Sequence, residues 1–89
     1  MARLFFTQQL ARFTALPEVD TQADRLRAGL ESAFDANPKL RGYVLDDQGH
    51  LRENVVIFID GRRCTDRVGL DDRLAPDSKV YILQALSGG

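Results

Sequence analysis

The chain has 89 residues, 44% hydrophobic and 28% charged, with twelve Lys and Arg against thirteen Asp and Glu. That is the composition of one ordinary globular domain. It excludes a two-domain protein and a disordered chain, and a net charge of −1 leaves no basic footprint for nucleic acid. The longest apolar run, Val55-Val56-Ile57-Phe58-Ile59, is far too short to span a membrane, and the first residues do not form a charged-then-apolar signal pattern. A cytoplasmic protein is expected. Cys64 is the single cysteine, so no internal disulfide or Cys-x-x-Cys motif is possible. Nearby Arg62, Arg63 and Arg67 would favour a thiolate, against the plainer reading of an incidental thiol at a turn.

Residues 2–7 combine two phenylalanines with short length and predict a strand. Because neighbours on a strand face opposite ways, one of Phe5 and Phe6 enters the core and the other lies on the far face. Residues 8–15 predict a second strand paired back on the first, and residues 17–20 a loop. Thr21, with Asp24 three residues on, has the spacing of a capping box and predicts a helix start. Ala23, Leu26, Leu30, Ala33 and Phe34 then make one apolar stripe, which needs a sheet to lie on. Gly29 weakens that helix by about 1 kcal/mol relative to Ala, and Asn37-Pro38 ends it.

Tyr43-Val44-Leu45 predicts a short strand, followed by turn chemistry at Asp46-Asp47-Gln48-Gly49. Residues 54–60 predict the clearest strand. Its unbroken apolar character implies that both faces are covered at least in part, and Asp60-Gly61 closes it with a turn. Residues 70–78 form a connector, and residues 79–86 a last strand. The pairs Asp46-Asp47 and Asp71-Asp72 read as solvated loops, and His50 has no second His or Cys with which to hold a metal. No metal site, bound cofactor or catalytic constellation is expected.

The sequence closes on Ser87-Gly88-Gly89 directly after the strand-forming run Val80-Tyr81-Ile82-Leu83. By chance roughly one chain in two hundred would close on Gly-Gly, so the pair gains weight from the strand before it. An ionised carboxylate resists nucleophiles until it is activated, and an enzyme that adenylates it must draw the last residues into a narrow cleft. Glycines at 88 and 89 remove the side chains that would block that approach. The competing reading is an incidental end, since chain termini are often without defined structure.

The block Asn54-Val55-Val56-Ile57-Phe58-Ile59-Asp60-Gly61, with the run from Leu74 to Gly89, resembles the ThiS and MoaD family of ubiquitin-like sulfur carriers. It carries a strand closing on Asp-Gly, an Asp-Ser-Lys-x-x lead-in and a strand ending in Gly-Gly; the match is specific from Asn54 onward. The resemblance implies an α+β ubiquitin-like β-grasp fold, a mixed sheet of four to five strands on one main helix, over residues 1–86, with 87–89 as a flexible tail. It implies a protein cosubstrate rather than an enzyme. A ubiquitin-activating-type adenylyltransferase would use ATP to adenylate Gly89, with Gly88 giving access. A sulfur donor or sulfurtransferase would convert the adenylate to a thiocarboxylate, which a downstream biosynthetic enzyme would accept. Alternation places Tyr81 and Leu83 on the face opposite the core. With Phe6, Leu86 and Ser87 they are the expected partner-binding residues. Gln84 stands where members serving pterin or cysteine synthesis often have proline, and the longer middle points away from thiamine. A modifier conjugated through Gly89 and a plain β-grasp interaction module are the alternatives.

Overall fold

The computed structural model describes residues 1–7, 10 and 18–84. Its strands are β1 (Ala2–Thr7), β2 (Glu18–Thr21), β3 (Val55–Ile59), β4 (Arg62–Arg63) and β5 (Lys79–Gln84), and its helices α1 (Leu26–Ala36) and α2 (Pro38–Val44). The strands make one mixed sheet in the order β2-β1-β5-β3-β4. β5 is central, parallel to β1 and antiparallel to β3. Parallel neighbours require a long crossover, so everything between Thr7 and Lys79 connects the first strand to the last.

Alternation along the strands decides which side chains reach the helices. Leu4 and Phe6 of β1, Val55 and Ile57 of β3, and Val80 and Ile82 of β5 are buried on one face. Leu26, Leu30, Ala33 and Phe34 of α1 share that core, as the apolar stripe predicted. Gly29 is buried too, but the packing leaves room for a side-chain carbon there: a Cβ would stand 3.4 Å from side-chain carbons of Leu74 and Thr21 and 3.7 Å from Leu4, which is ordinary van der Waals contact.

Two local expectations around β2 are corrected, and one falls outside the described residues. Residues 18–20 are strand rather than loop: β2 pairs antiparallel with β1, setting Arg3 opposite Asp20 and Phe5 opposite Glu18. The strand expected at residues 8–15 lies almost wholly outside the described residues; Leu10, the one that is described, is buried. Thr21 and Asp24 do not cap the helix. Thr21 ends β2, and its hydroxyl accepts a hydrogen bond from the Ala23 amide at 3.1 Å. α1 starts at Leu26 without a side-chain cap, because the Leu26 and Arg27 amides donate to the Asp72 and Leu70 carbonyls at 2.9 and 2.8 Å. Loop carbonyls thus satisfy donors that a helix N-terminus leaves open.

α1 does stop at Asn37-Pro38, but Pro38 then opens α2 where the Tyr43-Val44-Leu45 strand was expected. Proline suits the first helical turn, and Leu40 and Val44, one turn apart, are both buried. The Arg52 guanidinium donates to the Gly42 carbonyl at 2.8 Å near the helix end.

The crossover after β3 is held by polar crosslinks. Asp60 and Gly61 turn the chain with φ of 52° and 84°, a conformation that favours glycine and tolerates aspartate. The Asp60 carboxylate accepts from the buried Ser78 hydroxyl at 2.7 Å and the Lys79 amide at 3.0 Å, tying this turn to the start of β5. Asp66 accepts from the Val68, Gly69 and Asp71 amides, and Asp72 from the Thr65 amide and hydroxyl and the Asp66 amide. Arg27 of α1 donates to the carbonyls of Gly49, Val68 and Gly69, and Arg67 to those of Arg52 and Val55.

These bonds favour the ionised carboxylates. The Lys79 amide and then the Ser78 hydroxyl hold Asp60 below the usual range, and the Gly69 amide leads the same effect on Asp66. At Asp72 burial pushes upward, but the Thr65 and Asp66 amides outweigh it. A carboxyl whose folded pKa is depressed adds stability above its unfolded pKa of about 3.9, and that stability is lost as pH falls through the folded value. Urea unfolding midpoints should therefore hold between about pH 7 and 5 and fall steeply below about pH 4. Asp60→Asn, which keeps the turn geometry, should be less stable at neutral pH and show a shallower acid fall; an unchanged acid slope would remove Asp60 from this account.

Candidate functional site

The face of the sheet away from the helices is set by register. Phe5, Tyr81 and Phe58 lie side by side across β1, β5 and β3, and Thr7, Leu83 and Val56 form the next row. The Phe5 and Tyr81 rings stack with centroids 4.8 Å apart and planes 13° apart. Phe5, Val56, Phe58 and Leu83 are half-buried and Tyr81 is 39% exposed. The result is one apolar band across the three central strands.

Charged residues border it. Arg3 and Lys79 face each other at one end of the β1–β5 pair, and Arg63 continues the aromatic row beyond Phe58. Arg3 is neutralised in part by Asp20 at 2.7 Å and Glu18 at 3.8 Å. A contiguous apolar patch with a polar rim is the usual form of a protein-binding surface.

Tyr81 and Leu83 thus lie where alternation put them. Phe6 does not. It is 2% exposed and belongs to the core, so its assignment to a partner surface is corrected in favour of Phe5. Phe6 pairs with Ile82 and Phe5 with Tyr81, and neighbours in register share a face. Leu86, Ser87, Gly88 and Gly89 lie outside the described residues. Phe5, Val56 and Phe58 were not named as site residues. The signal was the unbroken apolar run of β3, in which Val55 and Ile57 fill the core while Val56 and Phe58 cover the other face.

The remaining chemistry is sparse. Cys64 is buried, and burial raises its thiol pKa, which argues against a reactive thiolate. Asp46 and Asp72, read from sequence as solvated, are loop-building acceptors: Asp46 takes the Gln48 and His50 amides. Among the described residues no three His, Cys, Asp or Glu side chains gather as a metal site would require, and no helix is long and apolar enough to cross a membrane.

The assignment of the two phenylalanines is open to direct measurement. Phe6→Ala should cost about 3–5 kcal/mol through the cavity it leaves, whereas Phe5→Ala should cost about 1–2 kcal/mol for a half-buried stacked ring. Equal losses in chemical denaturation would contradict it.

No protein-family model and no curated protein sequence matches the chain. Solved structures do match it in shape. The small archaeal modifier protein 1 of Methanosarcina acetivorans is 22% identical, with 99% of this chain and 95% of that chain covered at a TM-score of 0.81. Mycobacterium tuberculosis CysO, described as an antigen, is 20% identical over 97% of this chain and 100% of that chain at 0.82. A chain of the BexX/CysO complex of Amycolatopsis orientalis is 11% identical, with both chains covered in full, at 0.84. Identities this low speak for the fold alone. The mixed sheet, its central parallel pair and these neighbours together establish that the chain has the ubiquitin-like β-grasp fold.

Proposed function

We propose that this chain is a cytoplasmic sulfur carrier, a protein cosubstrate rather than an enzyme. The observation that carries the reading is the double role of β5. The strand that displays Tyr81 and Leu83 on the outer face runs on in sequence, after Gln84, to Leu86-Ser87-Gly88-Gly89. A docking surface and the Gly-Gly sequence are then only a few residues apart along the chain. From Gln84, five residues at about 3.3–3.6 Å each reach at most about 18 Å, so a partner that processes the tail must also press against the domain.

In this mechanism the outer face docks on a ubiquitin-activating-type adenylyltransferase, with Leu86 and Ser87 leading into its cleft. The Gly89 carboxylate attacks the α-phosphorus of ATP held by that enzyme, and pyrophosphate leaves. Hydrosulfide released by a sulfur donor then attacks the acyl carbon of the adenylate, AMP departs and a thiocarboxylate remains for a downstream acceptor enzyme. Where the sulfur arrives as a sulfurtransferase persulfide, its attack expels AMP to give an acyl disulfide, and a thiol then attacks the sulfurtransferase sulfur, forming a disulfide with it and releasing the thiocarboxylate. The carrier supplies no acid, base or metal to these steps. Its own contributions are the docking face and the absence of side chains at Gly88 and Gly89. The neighbours' names support this reading in kind: CysO is found in a complex with BexX, and another neighbour is called a modifier. That last name also supports conjugation through Gly89 as a second reading, which shares the adenylation step.

Two substitutions separate docking from tail chemistry in an ATP–pyrophosphate exchange assay with the cognate adenylyltransferase. Leu83→Asp, on the outer face, should raise KM about tenfold or more with little change in kcat. Gly89→Ala should lower kcat on the order of 100-fold by displacing the reacting carbonyl, with stability unchanged within about 0.5 kcal/mol. Full activity of both variants would overturn the proposal.

A further inference from the structure

β4 is the edge strand beside β3 and consists of two arginines, Arg62 and Arg63. Beside it a shallow cavity of about 310 Å³ is lined by Ile59, Arg62, Arg63, Thr65, Asp72 and Arg73. All three arginines are exposed, and none has an ion pair or a side-chain hydrogen bond among the described residues. The nearby carboxylates are committed elsewhere. Asp72 has Oδ2 on the Thr65 amide and hydroxyl and Oδ1 on the Asp66 amide. Asp71 stands 3.9 Å from Arg25, and Asp60, whose field Arg62 feels, accepts from Ser78 and Lys79. Arg62, Arg63 and Arg73 outnumber Asp72, the one carboxylate that lines the same cavity, and in a chain of net charge −1 that excess is a local positive field.

We propose that this edge receives an acidic segment of a protein partner. Planar guanidinium forks suit carboxylates, and three of them spread over two chain segments suit a row of carboxylates better than a single small anion. Among the described residues β4 is paired with β3 on one side only, so its other side can take an added strand whose alternating acidic side chains meet Arg63 on the outer face and Arg62 on the opposite one. Arg63 also continues the Phe5–Tyr81–Phe58 row, so an acidic segment here can extend a surface docked on the outer face. The inference does not depend on the tail carrying sulfur.

The test is an amide NMR titration of the intact chain with hexaglutamate, with inorganic phosphate in parallel. Hexaglutamate should shift amides at residues 62–65 and 72–73, with affinity falling about tenfold between about 20 and 150 mM salt. R62Q/R63Q/R73Q should lose these shifts while its other resonances stay in place; R73Q alone should weaken them, and the distant Lys39→Gln control should not. Shifts spread over all basic residues, including Arg3 and Lys39, would overturn the proposal as nonspecific attraction. Phosphate producing the same shifts at equal total charge would overturn it in favour of a small-anion site.

Discussion

Everything in this molecule depends on β5 being held from both sides. Its parallel bonds to β1 and antiparallel bonds to β3 fix the register of five residues on each flank. That register sends Val80 and Ile82 to the helices and Tyr81 and Leu83 to the opposite face. A slip of one residue would exchange the two sets, burying a tyrosine and exposing the core. Core and candidate docking surface are therefore two sides of a single constraint.

The parallel pairing creates a second requirement. The chain must travel the length of the domain between its first and last strands, and much of that path, from Cys64 to Ser78, is neither helix nor strand. Such a path succeeds only if its backbone groups find partners. Side chains supply many of them: Asp66 and Asp72 take amides, Arg27 and Arg67 take carbonyls, and the α1 N-terminus shares its amides with the same loop. Leu70 is the apolar anchor, buried with a φ of 54° that an L-residue adopts at some cost. Among the described residues no buried side-chain polar atom is left without a hydrogen bond.

How legible each element was follows from where its cause lies. β1, β3, β5 and the stripe of α1 have local causes, namely alternation, β-branching and helical spacing, and the Asp60-Gly61 turn has its own chemistry. β2 has none: Glu18-Val19-Asp20-Thr21 is polar and reads as loop, and becomes strand because β1 offers it an edge and Arg3 meets its two acids. The Thr21–Asp24 spacing imitated a cap, yet a loop distant in sequence supplies the carbonyls that start α1. α2 was hidden because Tyr43-Val44 carries strand propensity, while the Leu40–Val44 spacing and Pro38 were the better guides. Phe5 and Phe6 could be divided between faces but not assigned until the pairing with β5 supplied the register. The outer apolar face was half legible for the same reason: alternation placed Tyr81 and Leu83 on it, whereas Phe5, Val56 and Phe58 joined them only through the register.

The central functional claim is that the outer face presents Gly89 for activation as a sulfur carrier. Intact-mass analysis of the chain after incubation with its cognate adenylyltransferase, ATP and a sulfide source tests it most directly. The account predicts a product in which one oxygen of the Gly89 carboxylate has been exchanged for sulfur. With a partner shown to be active on ATP, unchanged mass, or only a covalent adduct to another protein's lysine, would contradict it.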